Sequence, residues 1–508
     1  MLNLATDRPD TAVAIAVPAA RRVGSWVRTH GLAAATLVVL VGCAFGSAVT
    51  YDFVNWDDPW YVINNPLIQS WSPAHVFEIA TQPAIRNYAP LTLFSFLVDH
   101  SLWGLWPGGY HLTNLVWHSI SCVLVYHLVS RLSGDVAVGW LTAALFAIHP
   151  VQVESVVWVS SRKGLMSGTF ILGSLLCWLQ PHRTERQEGL GLLLFVLALL
   201  SKAIAVMVPP IVLAYDLMVR RQQLATAVPR QVIPGCLALL LVLLTSAAQT
   251  TMTGGVRGHL DLNGVELAAV DSIILWRYLG MLIMPRHLSV MYDPPIRDIA
   301  FAASVAMFSW VVVVVMLSRL ARRIPLVVFG CLTIFLLLLP VLNLFPLTTL
   351  MNDRYLYLPC IPVFAIAACL LRKLGSRFST WCERSAMPTV YNVGLRCALA
   401  GLIIGPYLAT SVAYCPVWRN GLSLWTHACR ETPGLAVTRI QLANTFKQLN
   451  RTPEAISVLR QTLIDCQPDD IDRRRIAQKL QDWSADVDIQ PTQNSIGQQV
   501  PADIPPST

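Results

Sequence analysis

The chain has 508 residues, of which 55% are hydrophobic and 13% charged, and its mean hydropathy is +0.54. Soluble globular proteins carry about 25% charged residues, so this composition excludes an ordinary cytosolic enzyme, a disordered protein and a small disulfide scaffold. The net charge is +8, but no compact basic cluster is interleaved with aromatic residues, so nucleic acid is not expected as a partner. We therefore expect an all-α polytopic membrane protein surrounded by the lipid bilayer.

About eleven apolar segments are predicted to cross the membrane, because a bilayer core requires about 20 apolar residues per helix. They are residues 31–50, 111–132, 136–149, 164–180, 188–202, 203–219, 231–250, 299–318, 325–343, 354–371 and 396–414. A further stretch, 266–285, contains Asp271 and Arg277 and is expected not to span. With that assignment most basic residues before residue 415 lie in the cytoplasm, as the positive-inside rule requires. The N-terminus is then cytoplasmic and the C-terminal domain extracytoplasmic.

Composition divides the chain into four parts. They are a cytoplasmic segment 1–30, a transmembrane domain 31–414 with a large first outer loop at 51–110, a helical domain 415–485 and a disordered tail 486–508. Residues 435–468 carry a helix–turn–helix pattern that fits the roughly 34-residue spacing of a tetratricopeptide repeat; a generic helical hairpin is the alternative. A protein partner docking through 416–485 is one prediction from this pattern.

The first outer loop carries two adjacent carboxylates, Asp57 and Asp58, just beyond the end of the first predicted span. Long loops in compact proteins are usually functional, and a carboxylate at the membrane face is able to accept a proton from an acceptor hydroxyl. The alternative is a solvated turn, because Asp-Asp-Pro is favourable turn chemistry.

Further ionisable groups lie at the same outer face of the predicted topology. Glu154, Arg162 and Lys163 follow the third span, and Asp353 and Arg354 precede the tenth. Ionisable groups at a membrane boundary are functional candidates, and Arg and Lys complement a lipid phosphate. The alternatives are a snorkelling Arg–Lys pair and an interfacial Asp–Arg ion pair.

Two histidines, His111 and His118, share one helix face with Asn114. A metal site is one interpretation, and hydrogen bonding within a helix bundle is the other. No carboxylate completes a ligand set at that spacing, and the twelve Cys contain no CxxC pair. We therefore predict no protein metal site, while the need for a divalent metal stays open.

Five sets of motifs occur in an order that matches one known family. They are Asn55-Trp56-Asp57-Asp58 with Asn64-Asn65-Pro66, Gly109–Leu115 with His118, His149–Val156 with Arg162-Lys163, Asp353–Pro359, and Trp418-Arg419-Asn420 with Leu424-Trp425. Over roughly residues 50–485 the chain resembles the transmembrane and tetratricopeptide repeat-containing glycosyltransferases of the GT-C superfamily, in a bacterial-type form.

The resemblance implies a GT-C-like fold and an enzyme of the bacterial inner membrane. Such an enzyme transfers a sugar with inversion from a polyprenyl-phosphate donor to a hydroxyl of an acceptor protein or glycan, including protein O-mannosylation, on the extracytoplasmic face. Asp57, ranked before Asp58, is then the catalytic base. The cations expected to bind the donor phosphate are Arg86, Arg162, Lys163, Arg277 and Arg354. The residues expected to orient the site are His111, His149, Glu154 and Asp353.

The chain departs from the family's pattern at three positions. Ala89 stands where relatives tend to have Arg, and Ser161 and Gly164 stand where relatives tend to have acidic residues. The alternative function is therefore a catalytically degenerate membrane scaffold whose C-terminal domain recruits a partner. A transporter would place charged or broken helices near the middle of the bilayer, whereas the ionisable groups here gather at one face.

Overall fold

A computed structural model describes residues 19–82, 88–253, 262–296, 298–343, 349–384, 389–466 and 470–488. Throughout these ranges the chain forms helices and connecting turns and contains no strand, which confirms the predicted all-α class. The described N-terminal helices and the loop helices are α1 Ala19–Phe45, α2 Pro73–Thr81, α3 Pro90–Trp103, α4 Pro107–Ser133, α5 Val136–Ile148, α6 Val153–Val157, α7 Arg162–Trp178 and α8 Glu185–Leu199.

The later helices follow with short connections. They are α9 Val208–Met218, α10 Leu224–Ala227, α11 Val232–Thr253, α12 Gly264–Ile283, α13 Ala300–Leu320, α14 Pro325–Leu338, α15 Cys360–Arg384, α16 Thr389–Tyr414, α17 Gly421–Glu431, α18 Ala436–Gln448, α19 Thr452–Asp465 and α20 Asp470–Asp488. The predicted tail beyond residue 488 lies outside the described residues. The last four helices form the C-terminal helical domain, and α18 with α19 is the predicted helix–turn–helix.

Local sequence explains where several of these helices begin and end. Helix α4 ends before Gly134, whose φ of +71° places it in the left-handed region that suits glycine. Asp135 then caps α5, because its side chain accepts a hydrogen bond from the Ala137 amide at 2.8 Å. The two helices therefore turn back on each other within two residues and pack side by side in the main core.

Five helical segments within the described residues are long and apolar enough to cross a membrane. They are His30–Thr50, Pro107–Ser133, Leu224–Leu244, Ala300–Leu320 and Ala400–Trp418. The pair Val136–Ile148 and Pro150–Val157, bent by 56°, passes the same test together, and Ala203–Met218 and Pro325–Val341 are shorter apolar helices. This confirms a protein with several apolar helices, while the count of eleven spans stays a prediction.

The helix that was predicted to begin at residue 354 begins instead at Cys360. A 3-10 turn, Asp353–Leu356, and Pro359 precede it, and proline disfavours helical backbone in the residue before it. Asp353 and Arg354 therefore lie in a separate turn at the end of the helix bundle. This turn packs next to the segment that follows His149, where the candidate site is found.

Candidate active site

The two adjacent carboxylates of the first loop have different surroundings. Asp58 is 1% exposed and accepts hydrogen bonds from the Val54 amide at 3.0 Å, the Ser160 amide at 3.0 Å and the Ser160 hydroxyl. Burial raises the pKa of Asp58 to about 6. Its oxygens tie the first loop to the 3-10 turn Val159–Ser161 that precedes α7 and do not face an open surface, so the structure leaves only Asp57 of the predicted pair accessible.

Asp57 lies beside Lys163, at the N-terminus of α7. The Lys163 Nζ is 3.5 Å from Asp57 Oδ2, and the two side chains are 14% and 32% exposed. Lys163 also lies 4.7 Å from the centre of the Tyr61 ring. The Asp57 carbonyl accepts hydrogen bonds from the amides of Trp60 and Tyr61, both at 3.0 Å. This turn fixes the backbone of Asp57, while its carboxylate stays open to solvent.

Lys202 is the residue that sequence analysis did not select. It lies in the turn between α8 and the 3-10 segment Ala203–Met207, outside both apolar helices. Burial and the positive charges of Arg354 and Lys163 lower its pKa to about 7. The Glu154 carboxylate acts in the opposite direction and raises the pKa. Among the described residues its ammonium has no hydrogen-bond or ion-pair partner. A Cβ atom at position 164 would lie 3.7 Å from the Lys202 Nζ, so glycine there provides no side chain to pair with the ammonium.

Arg354 completes the group of cations. Its guanidinium forms an ion pair with Glu154, and its backbone amide donates to the same carboxylate at 2.9 Å. The guanidinium also lies over the Trp158 ring at 5.4 Å. Glu154 is fully buried, whereas the Arg354 side chain is 14% exposed. We refer to Lys163, Lys202 and Arg354 as the cation cluster.

Asp353 lies behind this cluster. It is fully buried, and the Tyr292 hydroxyl donates a hydrogen bond to it. Burial and the nearby Glu154 carboxylate raise its pKa well above the usual range. Asp57 and Glu154 are the two carboxylates that form ion pairs with members of the cation cluster.

The structure does not bring Arg162 to the same surface as Lys163. Its side chain is fully buried and forms an ion pair with Asp99. Its Nε donates to Asn114 at 2.8 Å, and a terminal nitrogen donates to the Tyr110 carbonyl at 2.7 Å. Since these protein groups occupy its donors, the guanidinium joins α3, α4 and α7. The predicted phosphate contact of Arg162 would therefore require its guanidinium to leave these buried partners.

The two predicted histidines are also buried. His149 Nδ1 accepts from the Val151 amide at 3.3 Å, so its Nε2 carries the proton and donates to the Leu282 carbonyl at 3.1 Å. His111 is 2% exposed and lies against the Tyr51 ring at 6.5 Å. Both side chains therefore pack the helices that carry the site. No group of three His, Cys, Asp or Glu side chains suitable for a metal occurs within the described parts of the chain.

Two further predicted cations lie elsewhere. Arg86 falls in 83–87, outside the described residues. Arg277 is exposed on α12 and lines a cavity of about 650 Å³ next to the C-terminal helical domain, together with Arg286, Asp293 and Glu431. The structure thus brings Asp57, Lys163, Glu154, Asp353 and Arg354 together and adds Lys202, while Arg277 belongs to a different cavity.

This arrangement combines a partly exposed carboxylate with a cluster of cations that is not fully neutralised. Such a site is able to hold an anionic group and accept a proton from a neutral one.

Several known proteins are similar to this chain. A Caenorhabditis elegans protein O-mannosyl-transferase, F38B6.6, is 24% identical over 348 residues, which are 64% of this chain and 49% of that protein. Human protein O-mannosyl-transferase TMTC4 is 30% identical over 167 residues, 28% of this chain and 22% of that protein. Human TMTC1 is 28% identical over 182 residues, 34% of this chain and 20% of that protein. The chain spans about half the length, or less, of these curated relatives.

No protein-family model matches the chain. Among solved structures, an oligosaccharyltransferase of Archaeoglobus fulgidus tethered to an acceptor peptide has a TM-score of 0.45 and 12% identity, covering 77% of this chain and 56% of that one. ArnT from Cupriavidus metallidurans bound to undecaprenyl phosphate has a TM-score of 0.38 and 13% identity, covering 84% and 80%. The sequence relatives confirm the family resemblance that the motifs predict.

Proposed function

We propose that this chain, a relative of the transmembrane and tetratricopeptide repeat-containing protein O-mannosyl-transferases, is itself a membrane glycosyltransferase. It moves a sugar from a polyprenyl-phosphate donor to the hydroxyl of an acceptor protein or glycan on the extracytoplasmic face. The observation that carries this proposal is the unpaired ammonium of Lys202 beside Lys163 and Arg354. Lys202 is half-buried, an ammonium that is partly withdrawn from water without a direct partner is costly, and perturbed groups of this kind are typical of functional sites.

The charges of the site fit a sugar phosphate diester. Three cations face the carboxylates of Asp57 and Glu154, which leaves one positive charge when Lys202 is protonated. A diester carries one negative charge, so binding neutralises the site and raises the pKa of Lys202 back toward its usual value. Lys163 keeps its contact with Asp57 at 3.5 Å, and Arg354 keeps its ion pair with Glu154. These contacts hold the two cations in place for the phosphate.

Asp57 supplies the base. Its carboxylate accepts the proton of the acceptor hydroxyl as that oxygen attacks the anomeric carbon from the side opposite the phosphate. The new carbon–oxygen bond forms as the bond from the anomeric carbon to the phosphate oxygen breaks, and the configuration inverts. The polyprenyl phosphate leaves with the bonding electron pair, and the cation cluster stabilises the added negative charge.

The direct test is sugar transfer by the full chain reconstituted in liposomes. Polyprenyl-phosphate mannose is the first donor to supply, with a peptide rich in Ser and Thr as acceptor. We expect mannosylated peptide by mass spectrometry, and lipid-linked sugar that copurifies with the chain from its native membrane. If no sugar lipid copurifies and none of a panel of polyprenyl-phosphate sugars is consumed, the proposal fails. Capture of a partner through 416–485 without transfer would then favour the scaffold alternative.

Lys202→Met is expected to raise the KM for the donor by about 10- to 100-fold, the loss of one charge-assisted hydrogen bond. The same change removes an unpaired ammonium that lies beside the positive charges of Arg354 and Lys163, so the melting temperature should rise. Opposite effects on binding and stability are expected for a residue kept for function. Initial rates at varied donor concentration and thermal unfolding in detergent measure the two quantities.

The pH dependence provides a matched control for this variant. The protonated form of Lys202 binds phosphate, and it is lost as pH rises through about 7, so the donor KM of the unaltered chain should increase above that pH. Lys202→Arg keeps its charge at all these pH values and should flatten the increase. A donor KM that is insensitive to Lys202→Met from pH 6 to 8 would exclude Lys202 from the phosphate site.

A further inference from the structure

The side chain of Asn55, two residues before Asp57, is bonded to two helices of the C-terminal domain. Its Oδ1 accepts from the Trp425 Nε1 on α17 at 2.8 Å. Its Nδ2 donates to the Thr445 Oγ1 on α18 at 2.8 Å. The orientation of the amide is determined, because the indole only donates and the Thr445 hydroxyl gives its own proton to the Gln441 carbonyl at 2.9 Å.

Close packing surrounds these hydrogen bonds. The Trp56 and Trp425 rings have centroids 4.8 Å apart, and Trp425 is fully buried. A Cβ atom on Gly421, at the start of α17, would lie 2.3 Å from the Asn55 Oδ1. Only glycine allows that approach, so the contact depends on a particular residue of the C-terminal domain as well as on Asn55.

The same short segment carries the proposed base. Val54 donates its amide to Asp58, and Asp58 accepts the amide and hydroxyl of Ser160. Residues 54–58 are therefore held on one side by the 3-10 turn that precedes α7 and on the other by α17 and α18. Asp57 lies in the middle of this doubly anchored segment, with its carboxylate 3.5 Å from Lys163.

We infer that the C-terminal helical domain contributes to the active site by positioning the catalytic base. Asn55 is the positioning residue through which α17 and α18 determine where Asp57 lies. The inference rests on the proposed function, because Asp57 acts there as the base. Asn55 contacts none of the cations of the cluster. Its loss is thus expected to slow the chemical step and to leave donor binding unchanged.

The test compares Asn55→Ala and the milder Thr445→Val in the full chain. Displacing a catalytic group by about 1 Å costs on the order of 100-fold in rate, so Asn55→Ala should lower kcat by about 10- to 100-fold, with the donor KM within about twofold. Thr445→Val should lower kcat by a smaller factor, because it breaks only one of the two hydrogen bonds of the Asn55 side chain. It should add little when combined with Asn55→Ala, since both variants lose the same Asn55–Thr445 bond. Initial rates of sugar transfer supply these values.

Arg439→Gln is the matched control. It breaks the ion pair with Asp465, 2.7 Å, inside the same domain without touching residues 54–58, so kcat should stay close to that of the unaltered chain. An equal loss of kcat in Arg439→Gln would mean that general destabilisation of the domain is responsible. A kcat within about twofold of the unaltered chain for Asn55→Ala would overturn the inference.

Hydrogen exchange separates this inference from the proposed function. The amides of Trp60 and Tyr61 bond the Asp57 carbonyl, and they should exchange faster in Asn55→Ala and Thr445→Val but not in Arg439→Gln. If the unaltered chain transfers no sugar, the proposed function fails, and the exchange data still decide whether the C-terminal helices hold the Asp57 turn. Unchanged protection in Asn55→Ala would refute the positioning role.

Discussion

Asp57→Asn is expected to lower the kcat for sugar transfer by about 10²- to 10⁴-fold, the usual contribution of a general base. The amide keeps the size of the side chain but does not accept a proton from the acceptor hydroxyl. The donor KM should not rise, because loss of the Asp57 carboxylate leaves the positive charge of Lys163, 3.5 Å away, less neutralised toward the phosphate. Initial-rate kinetics with the donor and acceptor varied separately measure both constants.

Folding should be little affected by this change. The Asp57 and Lys163 side chains are 32% and 14% exposed, and partly exposed ion pairs contribute about 0–1 kcal/mol. Glu78→Gln serves as the control, since Glu78 is an exposed carboxylate of α2 in the same loop, and it should leave kcat unchanged. If Asp57→Asn turns over at a rate within about threefold of the unaltered chain, Asp57 is not the base.

Much of the helical architecture could be predicted from the sequence, because apolar runs of sufficient length have few alternatives in a bilayer. The helix–turn–helix predicted for residues 435–468 is also present, as α18 and α19. The expected start of α15 at residue 354 was wrong. Apolar content alone does not indicate that a 3-10 turn and Pro359 precede the helix and prevent it from starting earlier. Local backbone chemistry sets such boundaries, and hydropathy averages over it.

The roles of neighbouring residues were harder to predict. Asp57 and Asp58 are adjacent and chemically identical, and they differ because Ser160, 102 residues further along the chain, bonds only Asp58. Arg162 and Lys163 are separated in the same way by the Asp99 carboxylate. These contacts join distant parts of the chain, so no motif or spacing within one segment reveals them.

Lys202 was missed for a related reason. In the sequence it is a single cation between two apolar runs, which usually indicates an interfacial side chain. Its importance depends on Arg354 and Lys163 lying close enough to lower its pKa, and on the absence of a side chain at Gly164. The sequence shows that position 164 lacks the acidic residue of relatives, but it does not show that Lys202 lies next to that position.

Separating Arg162 from Asp99 is expected to cause the largest loss of stability in the chain. Asp99→Ala leaves a fully buried guanidinium without its carboxylate, and breaking a buried pair costs about 3–5 kcal/mol. The melting temperature in detergent should therefore fall strongly. The hydrogen bonds of Arg162 to Asn114 and Tyr110 hold the guanidinium in place and prevent it from reaching water.

The double variant Asp99→Leu with Arg162→Met distinguishes a structural role from phosphate binding. Replacing both members of a buried ion pair by apolar residues of similar volume is often neutral or stabilising, so much of the lost melting temperature should return. Because Arg162 does not share the exposed surface of Lys163, the donor KM of the double variant should match that of the unaltered chain. An increase in donor KM as large as that of Lys202→Met would instead place Arg162 on the phosphate and refute the structural assignment.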